Sequence, residues 1–184
     1  DTPVIPRAID NAPTVQSDAI GSGSALFAGG SGEKIVIADD STLDITDAIS
    51  ICLWVKVVSA RWQGIIDKGA LDGVATGDYS IHLSNASPPV LYFGLNGGSR
   101  VTTTDTVPLN EWTHIACTYD KDAGGTNEAK VYLNGVLSKE GNYSTAISTS
   151  STVLNIGQYN TDGSFEFDGN ICQVGIWDAV LTQA

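Results

Sequence analysis

The sequence is poor in basic residues and contains no methionine. Lysine and arginine together number 9, against 21 aspartates and glutamates, which gives a formal net charge of −12. Binding to nucleic acid or to an anionic membrane surface requires a basic patch, so we expect neither partner. No apolar run approaches the roughly 18 residues that a membrane-spanning helix needs, so we also expect no membrane insertion. The lack of an initial methionine indicates a processed chain or a piece of a longer one.

Histidine and cysteine are also scarce, which leaves few groups for catalysis. His82 and His114 are the two histidines, and neither a GxSxG nucleophile motif nor a CxxC pair occurs. Cys52, Cys117 and Cys172 each lie in an apolar run, where cysteine usually serves as a small buried hydrophobic residue. Because three is an odd number, at least one cysteine has no disulfide partner within the chain, and the sequence leaves open whether the other two pair.

Turn-forming residues are abundant, and they separate short β-favouring runs. The chain has 20 glycines, and 16 of its 21 acidic residues are aspartate, a residue of turns rather than helices. The runs recur at roughly ten-residue spacing, which predicts an all-β sandwich of two antiparallel sheets. The predicted strands are Ser24–Phe27, Glu33–Ala38, Ala48–Val58, Gly64–Lys68, Tyr79–Leu83, Val90–Leu95, Arg100–Thr104, Thr113–Tyr119, Ala129–Leu133, Val136–Lys139, Val153–Ile156 and Asn170–Trp177.

Some segments allow more detailed predictions. Asn134-Gly135 lies between two runs and accepts positive φ at both positions, so it predicts a type I′ hairpin. The polar stretch Asp120–Asn127 predicts a longer hairpin loop. Ala48–Val58 is apolar almost throughout, so we expect it to be buried on both faces. Residues 1–22 contain three prolines and predict an extended lead-in to one domain at residues 23–184.

Seven segments resemble, in the same order, those of the concanavalin A-like, laminin-G-like jelly-roll superfamily, in its LamG-like or pentraxin-like branch. They include PLNEWTHIACTYD and KVYLNGVL. The segments are Gly23–Ile45, Ile49–Val57, Ile65–Gly69, Pro108–Asp120, Lys130–Leu137, Leu154–Asn160 and Phe167–Ala184. The resemblance implies a jelly-roll β-sandwich, a fold that hosts lectins, adhesion modules, enzymes and virion parts alike.

The chain departs from this family at two functional positions. Many members hold a structural calcium ion with an Asp in the closing strand, and the resemblance places Cys172 there. Asp168 and Asn170 lie nearby, so they are our predicted metal ligands and Ca²⁺ is the predicted cofactor. Some relatives hydrolyse glucans with an ExDxxE strand, and Glu166-Phe167-Asp168 begins that pattern, but Ile171 takes its last position. A retaining enzyme needs a nucleophile and an acid, and the carboxylate at the last position of this pattern is missing. We therefore predict that the protein is not an enzyme.

Aspartates also cluster at other positions, where they could supply the hard oxygen ligands that Ca²⁺ prefers. Turn formation is the alternative interpretation for each cluster, and the sequence leaves both open. The clusters are Asp39 with Asp40, Asp67 with Asp72 and Asp78, Asp120 with Asp122, and Asp162 with Asp168.

Aromatic residues in polar segments are the predicted glycan contacts. Trp62 and Tyr159 lie in such segments and could stack on a sugar ring, while Arg100 follows a Gly-Gly-Ser turn and could pair with an acidic sugar. The other three tryptophans lie in apolar runs, and we expect them in the core. These are Trp54, Trp112 and Trp177.

Two functions fit these features. The first is a non-catalytic carbohydrate-binding or adhesion module of an extracellular or surface protein, whose partner is a glycan or a surface protein. The alternative is a structural subunit of a virion or a cell-surface filament. Its residues 1–22 would lie along the sheet edge of a neighbouring copy, so this alternative predicts self-association.

Overall fold

A computed structural model describes residues 13–30, 32–69, 77–159 and 165–182. Within these ranges the chain forms thirteen β-strands and one short 3₁₀ turn, Ser41–Leu43. Each of the twelve predicted strands overlaps one of them. The strands are β1 (Thr14–Gln16), β2 (Ser24–Ala28), β3 (Ile35–Ile37), β4 (Ala48–Val57), β5 (Gln63–Lys68), β6 (Tyr79–Leu83), β7 (Val90–Leu95), β8 (Gly98–Thr106), β9 (Trp112–Asp120), β10 (Ala129–Leu133), β11 (Val136–Gly141), β12 (Leu154–Ile156) and β13 (Asp168–Trp177).

The strands form two sheets, and every ladder between named strands is antiparallel, as predicted. One sheet has seven strands in the order β1-β2-β13-β4-β9-β10-β11, and the other has six in the order β3-β12-β5-β6-β7-β8. The inward-facing side chains of both sheets form a shared core, which includes Phe27, Leu53, Phe93 and Ile115, each with no exposed surface. A jelly-roll sandwich is therefore confirmed.

The central strand β4 is buried on one face rather than on both. Ile49, Ile51 and Leu53 point inward and are fully buried, whereas Cys52 and Trp54 point outward and are half-buried. The prediction for Ala48–Val58 was wrong because a two-layer sandwich places no third layer over the outer face of its sheets.

None of the four tryptophans belongs to the described core. Trp54 and Trp112 are half-buried on the outer face of the seven-stranded sheet, and Trp177 is 41% exposed. The prediction that these three are core residues was wrong because strand alternation turns them away from the core. Trp54 lies opposite His114 in the ladder and Trp177 lies opposite Ser50.

Both predicted hairpins are confirmed. Asn134 and Gly135 join β10 to β11 with φ angles of 50° and 79°, the left-handed pair that a type I′ turn requires. The polar stretch Asp120–Asn127 connects β9 to β10. Of the three cysteines, Cys117 and Cys172 are buried, Cys52 is half-buried, and all are free thiols.

Part of the lead-in joins the sandwich. Residues 14–16 form β1, which pairs with β2 of the same chain, while residues 1–12 lie outside the described ranges. Pairing with the edge of a neighbouring copy therefore stays a prediction.

A fully buried lysine ties three loops to one end of the sandwich. Lys68, at the end of β5, has no exposed side-chain surface, and oxygen atoms surround its ammonium group. The oxygen atoms are Asp39 Oδ1 (3.0 Å), Asp78 Oδ2 (3.3 Å), Asp44 Oδ1 (3.7 Å) and the carbonyls of Ser150 (2.9 Å) and Thr152 (3.3 Å). Burial acts to lower the pKa of Lys68, but the hydrogen bond to Asp39 and the charge of Asp78 outweigh it and raise that pKa.

Candidate functional site

Five rings meet on the outer face of the six-stranded sheet; we call Trp62, His82, Tyr92, Tyr159 and Phe165 the aromatic cluster. Strand alternation places its two central members. Ile81 and Leu83 of β6, like Leu91 and Phe93 of β7, point into the core. His82 and Tyr92 therefore point outward, and they lie directly opposite each other in the β6–β7 ladder.

His82 connects the other members of the cluster. Its ring stacks in parallel on Tyr92, with 4.8 Å between centroids and an interplanar angle of 2°. The ring of Tyr159 lies 4.7 Å from His82, and the ring of Trp62 lies 6.3 Å from it and 5.5 Å from Tyr92. Phe165 packs edge-on against Tyr159 at 5.7 Å. The cluster is thus a continuous chain of ring contacts.

Gly64 allows Tyr159 to reach this face. A Cβ atom at position 64 would lie 2.2 Å from both the Cβ and the backbone nitrogen of Tyr159. The amide of Gly64 donates to the carbonyl of Phe165 at 2.7 Å, which fixes Phe165 beside the start of β5. A glycine in β5 therefore holds both loop aromatics against the sheet.

The two ends of the cluster are open to solvent and its centre is not. Trp62 and Phe165 are each 40% exposed, whereas His82 is 9% exposed. Burial lowers the pKa of His82 from 6.5 to about 4, so its imidazole is neutral at pH 7. The Nδ1 atom of His82 has no hydrogen-bond partner within the described part of the chain.

A line of polar side chains crosses the same face beside the aromatic cluster; we call Asn155, Asp67 and Ser80 the polar row. They lie opposite one another on the adjacent strands β12, β5 and β6. All three point away from the core, and each is at most 2% exposed. Asn155 Oδ1 and Ser80 Oγ have no hydrogen-bond partner among the described residues. Buried polar atoms normally have a partner, and because neither atom has accessible surface, these two are suited to an ordered water.

This arrangement suits binding better than catalysis. Ser80, His82 and Asp67 share one face, but neither Ser80 Oγ nor His82 Nδ1 makes a hydrogen bond to any described group. An activated serine needs a hydrogen bond to its base. The partial glucanase pattern is no better placed, because Ile171, where its last carboxylate would stand, is 3% exposed and belongs to the core.

The structure brings together two of the three predicted glycan contacts. Trp62 and Tyr159 both contact His82. Arg100 is turned elsewhere: its Nε donates to the carbonyl of Leu95 at 3.0 Å and its guanidinium lies 4.1 Å from the ring centre of Tyr143. Its role in binding an acidic sugar stays a prediction.

The predicted metal ligands lie on the outer face of the other sheet. Asp168 and Asn170 share that face of β13 with Cys172, but the amide of Asn170 donates to Ser24 Oγ at 3.0 Å. The thiol of Cys172 points to the carbonyl of Ile20, so these three positions offer a single carboxylate. That set does not fit a calcium ion, which prefers several oxygen ligands.

The other aspartate clusters give calcium no clear site either. Asp67 faces outward whereas Asp78 binds Lys68, and Asp72 and Asp162 lie outside the described ranges. Among described residues, no group of three or more acidic, histidine or cysteine side chains is placed to hold a metal. Calcium binding stays a prediction.

Sequence reasoning missed His82, Tyr92 and Phe165. The alternation in SIHLS and LYFGL could have identified the first two, because their apolar neighbours lie at the inward positions. Phe165 lies outside the strands at a φ of 57°, and no pattern in the sequence marks it.

Comparison with known proteins agrees with this geometry. Residues 29–184 match the sequence profile described as the concanavalin A-like lectin/glucanases superfamily. The chain belongs to this superfamily. No curated protein sequence matches it.

Several solved structures share the fold of this superfamily member. Domain 4 of AbnA, an extracellular GH43 arabinanase from Geobacillus stearothermophilus solved with arabinotriose, has a TM-score of 0.65 and 24% identity, over 92% of this chain and 78% of that one. The binding domain of Paraclostridial Mosquitocidal Protein 1 has a TM-score of 0.71 and 13% identity, over 97% of this chain and 45% of that one. A botulinum neurotoxin type C structure, whose report describes interaction with two ganglioside molecules, has a TM-score of 0.65 and 20% identity. This match covers 100% of this chain and 46% of that one. The chain thus spans less than half of each of the two toxin chains.

One of these neighbours is named as a binding domain, and a glycan is named for the other two. The described residues of the present chain contain no helix long and apolar enough to cross a membrane.

Proposed function

We propose that the chain is a non-catalytic carbohydrate-binding module of an extracellular or surface protein, and that it binds glycan on the aromatic cluster. The observation that carries this proposal is the exposure of Trp62 and Phe165 at the two ends of a supported chain of rings. A group of adjacent exposed rings marks an interaction surface more often than a single exposed residue does, and here the rings of His82 and Tyr92 lie against Trp62.

The cluster has the apolar surface that sugar recognition requires. The faces of the exposed rings can cover the apolar C–H face of a sugar. His82 supports Trp62, Tyr92 and Tyr159 from a position that is itself nearly buried. A platform held in place in this way loses little conformational entropy when a ligand binds.

The neighbours support the same class of ligand. The AbnA domain was solved with arabinotriose and belongs to an extracellular arabinanase, and the report of the neurotoxin structure describes gangliosides. We therefore extend to this chain a glycan partner and an extracellular or surface location. Adhesion to a glycosylated surface protein would use the same contacts.

Replacing Trp62 with alanine tests the proposal. We expect the affinity for the bound glycan to fall at least about tenfold, because the variant loses an exposed stacking surface at the binding face. The glycan is found by screening the unmodified chain against a panel of oligosaccharides that includes arabinotriose, and affinities are then measured by isothermal titration calorimetry.

Trp177→Ala is the matched control. Trp177 is 41% exposed, almost the same as Trp62 at 40%, but it lies on the seven-stranded sheet. We expect this variant to bind like the unmodified chain. Equal losses in both variants, or a loss in Trp177→Ala alone, would show that the aromatic cluster is not the binding site.

A further inference from the structure

The geometry points to two separate stacking subsites, Trp62 and Phe165, that together bind an internal segment of a linear oligosaccharide of about three or more sugar residues. This inference rests on the proposed function and names the form of its ligand. The ligand is a chain that lies across the strands, rather than a single sugar or the end of a chain.

The first support is the direction in which the aromatic cluster runs. His82 and Tyr92 lie opposite each other on the neighbouring strands β6 and β7. Gly64 of β5 lies opposite His82, and Tyr159 covers this glycine, so the ring of Tyr159 takes the next place in the row. Phe165 follows Tyr159, and its carbonyl accepts from the amide of Gly64. The cluster therefore crosses the width of three strands.

The two exposed rings contact different parts of this row. Trp62 contacts the rings of His82 and Tyr92, whereas Phe165, among the described residues, contacts the ring of Tyr159 alone. Neighbouring strands are about 4.8 Å apart, so two strand spacings separate the exposed rings by on the order of 10 Å. One sugar ring is therefore too small to stack on both.

The openness of the row at both ends indicates how a chain would lie on it. Trp62 and Phe165 are exposed, whereas His82 between them is nearly buried. A linked sugar residue advances a chain by about one strand spacing, so a chain of about three residues reaches from one exposed ring to the other. Because solvent lies beyond both rings, a longer chain can continue past each of them, and the site does not need to recognise either chain end.

The backbone of Phe165 is an independent second support. Its φ angle is 57°, in the left-handed region that a bulky side chain rarely adopts. Glycine or asparagine would take this conformation at a lower cost. Strained residues of this kind are concentrated at ligand sites, and the partly exposed ring of Phe165 gains only part of the burial that would offset the strain. A stacking role accounts for a ring at this position.

The dependence of affinity on chain length tests the inference on the unmodified protein. The probes are arabinose and its linear di-, tri-, tetra- and hexasaccharides, or the same series of the sugar that the oligosaccharide panel identifies. By isothermal titration calorimetry we expect the affinity to rise at least about fivefold from the disaccharide to the tetrasaccharide, because only the longer chain contacts both exposed rings. Reduction of the terminal sugar of the hexasaccharide to its alditol should leave the affinity unchanged.

Phe165→Asn is the informative variant. It removes the second ring, and asparagine accepts the left-handed backbone conformation, so the loop keeps its shape. We expect the affinity for the tetrasaccharide to fall about fivefold and its advantage over the disaccharide to disappear. Phe165→Tyr, which keeps a ring at this position, should restore that advantage. The urea midpoint of each variant checks that it is folded.

The outcomes separate this inference from the proposed function. Three results overturn the inference and leave the proposed function standing. They are binding that depends on Trp62 but is as tight for the disaccharide as for the tetrasaccharide, an affinity for the tetrasaccharide that Phe165→Asn leaves unchanged, and loss of hexasaccharide binding when its end is reduced. Failure of every oligosaccharide in the panel to bind contradicts the proposed function itself.

Discussion

Replacing Lys68 with methionine lowers the free energy of unfolding by about 3–5 kcal/mol. The ammonium group is fully buried and lies within 3.3 Å of oxygen atoms of both Asp39 and Asp78. Methionine retains most of the length of the side chain but removes the charge, so the carboxylate of Asp78, 1% exposed, loses its counter-ion inside the protein. Removing one partner of a buried ion pair costs far more than the pair itself contributes, because the remaining charge stays desolvated.

Lys121→Met is the control for this measurement. Lys121 also pairs with two aspartates, Asp47 at 3.8 Å and Asp122 at 2.9 Å, but these carboxylates are mostly exposed. Surface pairs of this kind contribute little, so we expect its urea midpoint to stay close to that of the unmodified protein. If both variants unfold at similar urea concentrations, the buried ion pairs of Lys68 do not stabilise the fold as this structure indicates.

Acidification from about pH 7 to about pH 4 removes about 3 kcal/mol of stability through His82 alone. The pKa of His82 falls from 6.5 to about 4 on folding, because burial disfavours the charged imidazolium. Between these two values the unfolded chain binds a proton that the folded chain does not, so stability falls as the pH falls. The contribution of His82 is complete above pH 6.5 and is lost once the pH has passed below the folded value.

His82→Gln isolates this effect from that of the carboxylates. The hydrogen bonds from Lys56 and Trp112 lower the pKa of Asp18, so protonation of Asp18 in acid also destabilises the protein. This loss is the same in the unmodified protein and in His82→Gln. We expect the stability of the variant to depend less on pH, by about 3 kcal/mol over this range. Burial also lowers the pKa of His114, which is half-buried on the other sheet, so His114→Gln should keep the contribution of His82 and lose only its own. If the stability of His82→Gln depends on pH as strongly as that of the unmodified protein, His82 is not the cause of this pH dependence.

Strand positions were predictable because local chemistry determines them. Asn134-Gly135 specifies its hairpin through two positive φ angles, and turn residues bound each run. Which face of a strand meets the core is a different question. Trp54 lies in a run of apolar residues, so hydrophobicity alone predicts that it belongs to the core. Its neighbours Leu53 and Val55 point inward, however, and strand alternation therefore turns Trp54 outward.

The candidate site was predictable only in part for the same reason. Trp62 and Tyr159 stand out because polar residues surround them in the sequence, but His82 is hidden between Ile81 and Leu83. The contact of Trp62 and Tyr159 with His82 depends on a register shift between Gly64 and Ile66. This shift leaves Gly64 opposite His82. A glycine within a strand favours a bulge but does not specify which residues then meet, so the cluster is a product of tertiary structure.

The central claim is that glycan binds on the aromatic cluster, and the indole resonances of the four tryptophans test it most directly. Trp62 lies on the six-stranded sheet, whereas Trp54, Trp112 and Trp177 lie on the other. In a ¹⁵N-correlated NMR titration of the full chain with the bound oligosaccharide, we expect the indole N–H signal of Trp62 to shift progressively. The other three signals should stay in place. A shift of Trp54, Trp112 or Trp177 while Trp62 is unaffected would contradict the account and move the binding site to the opposite face of the sandwich.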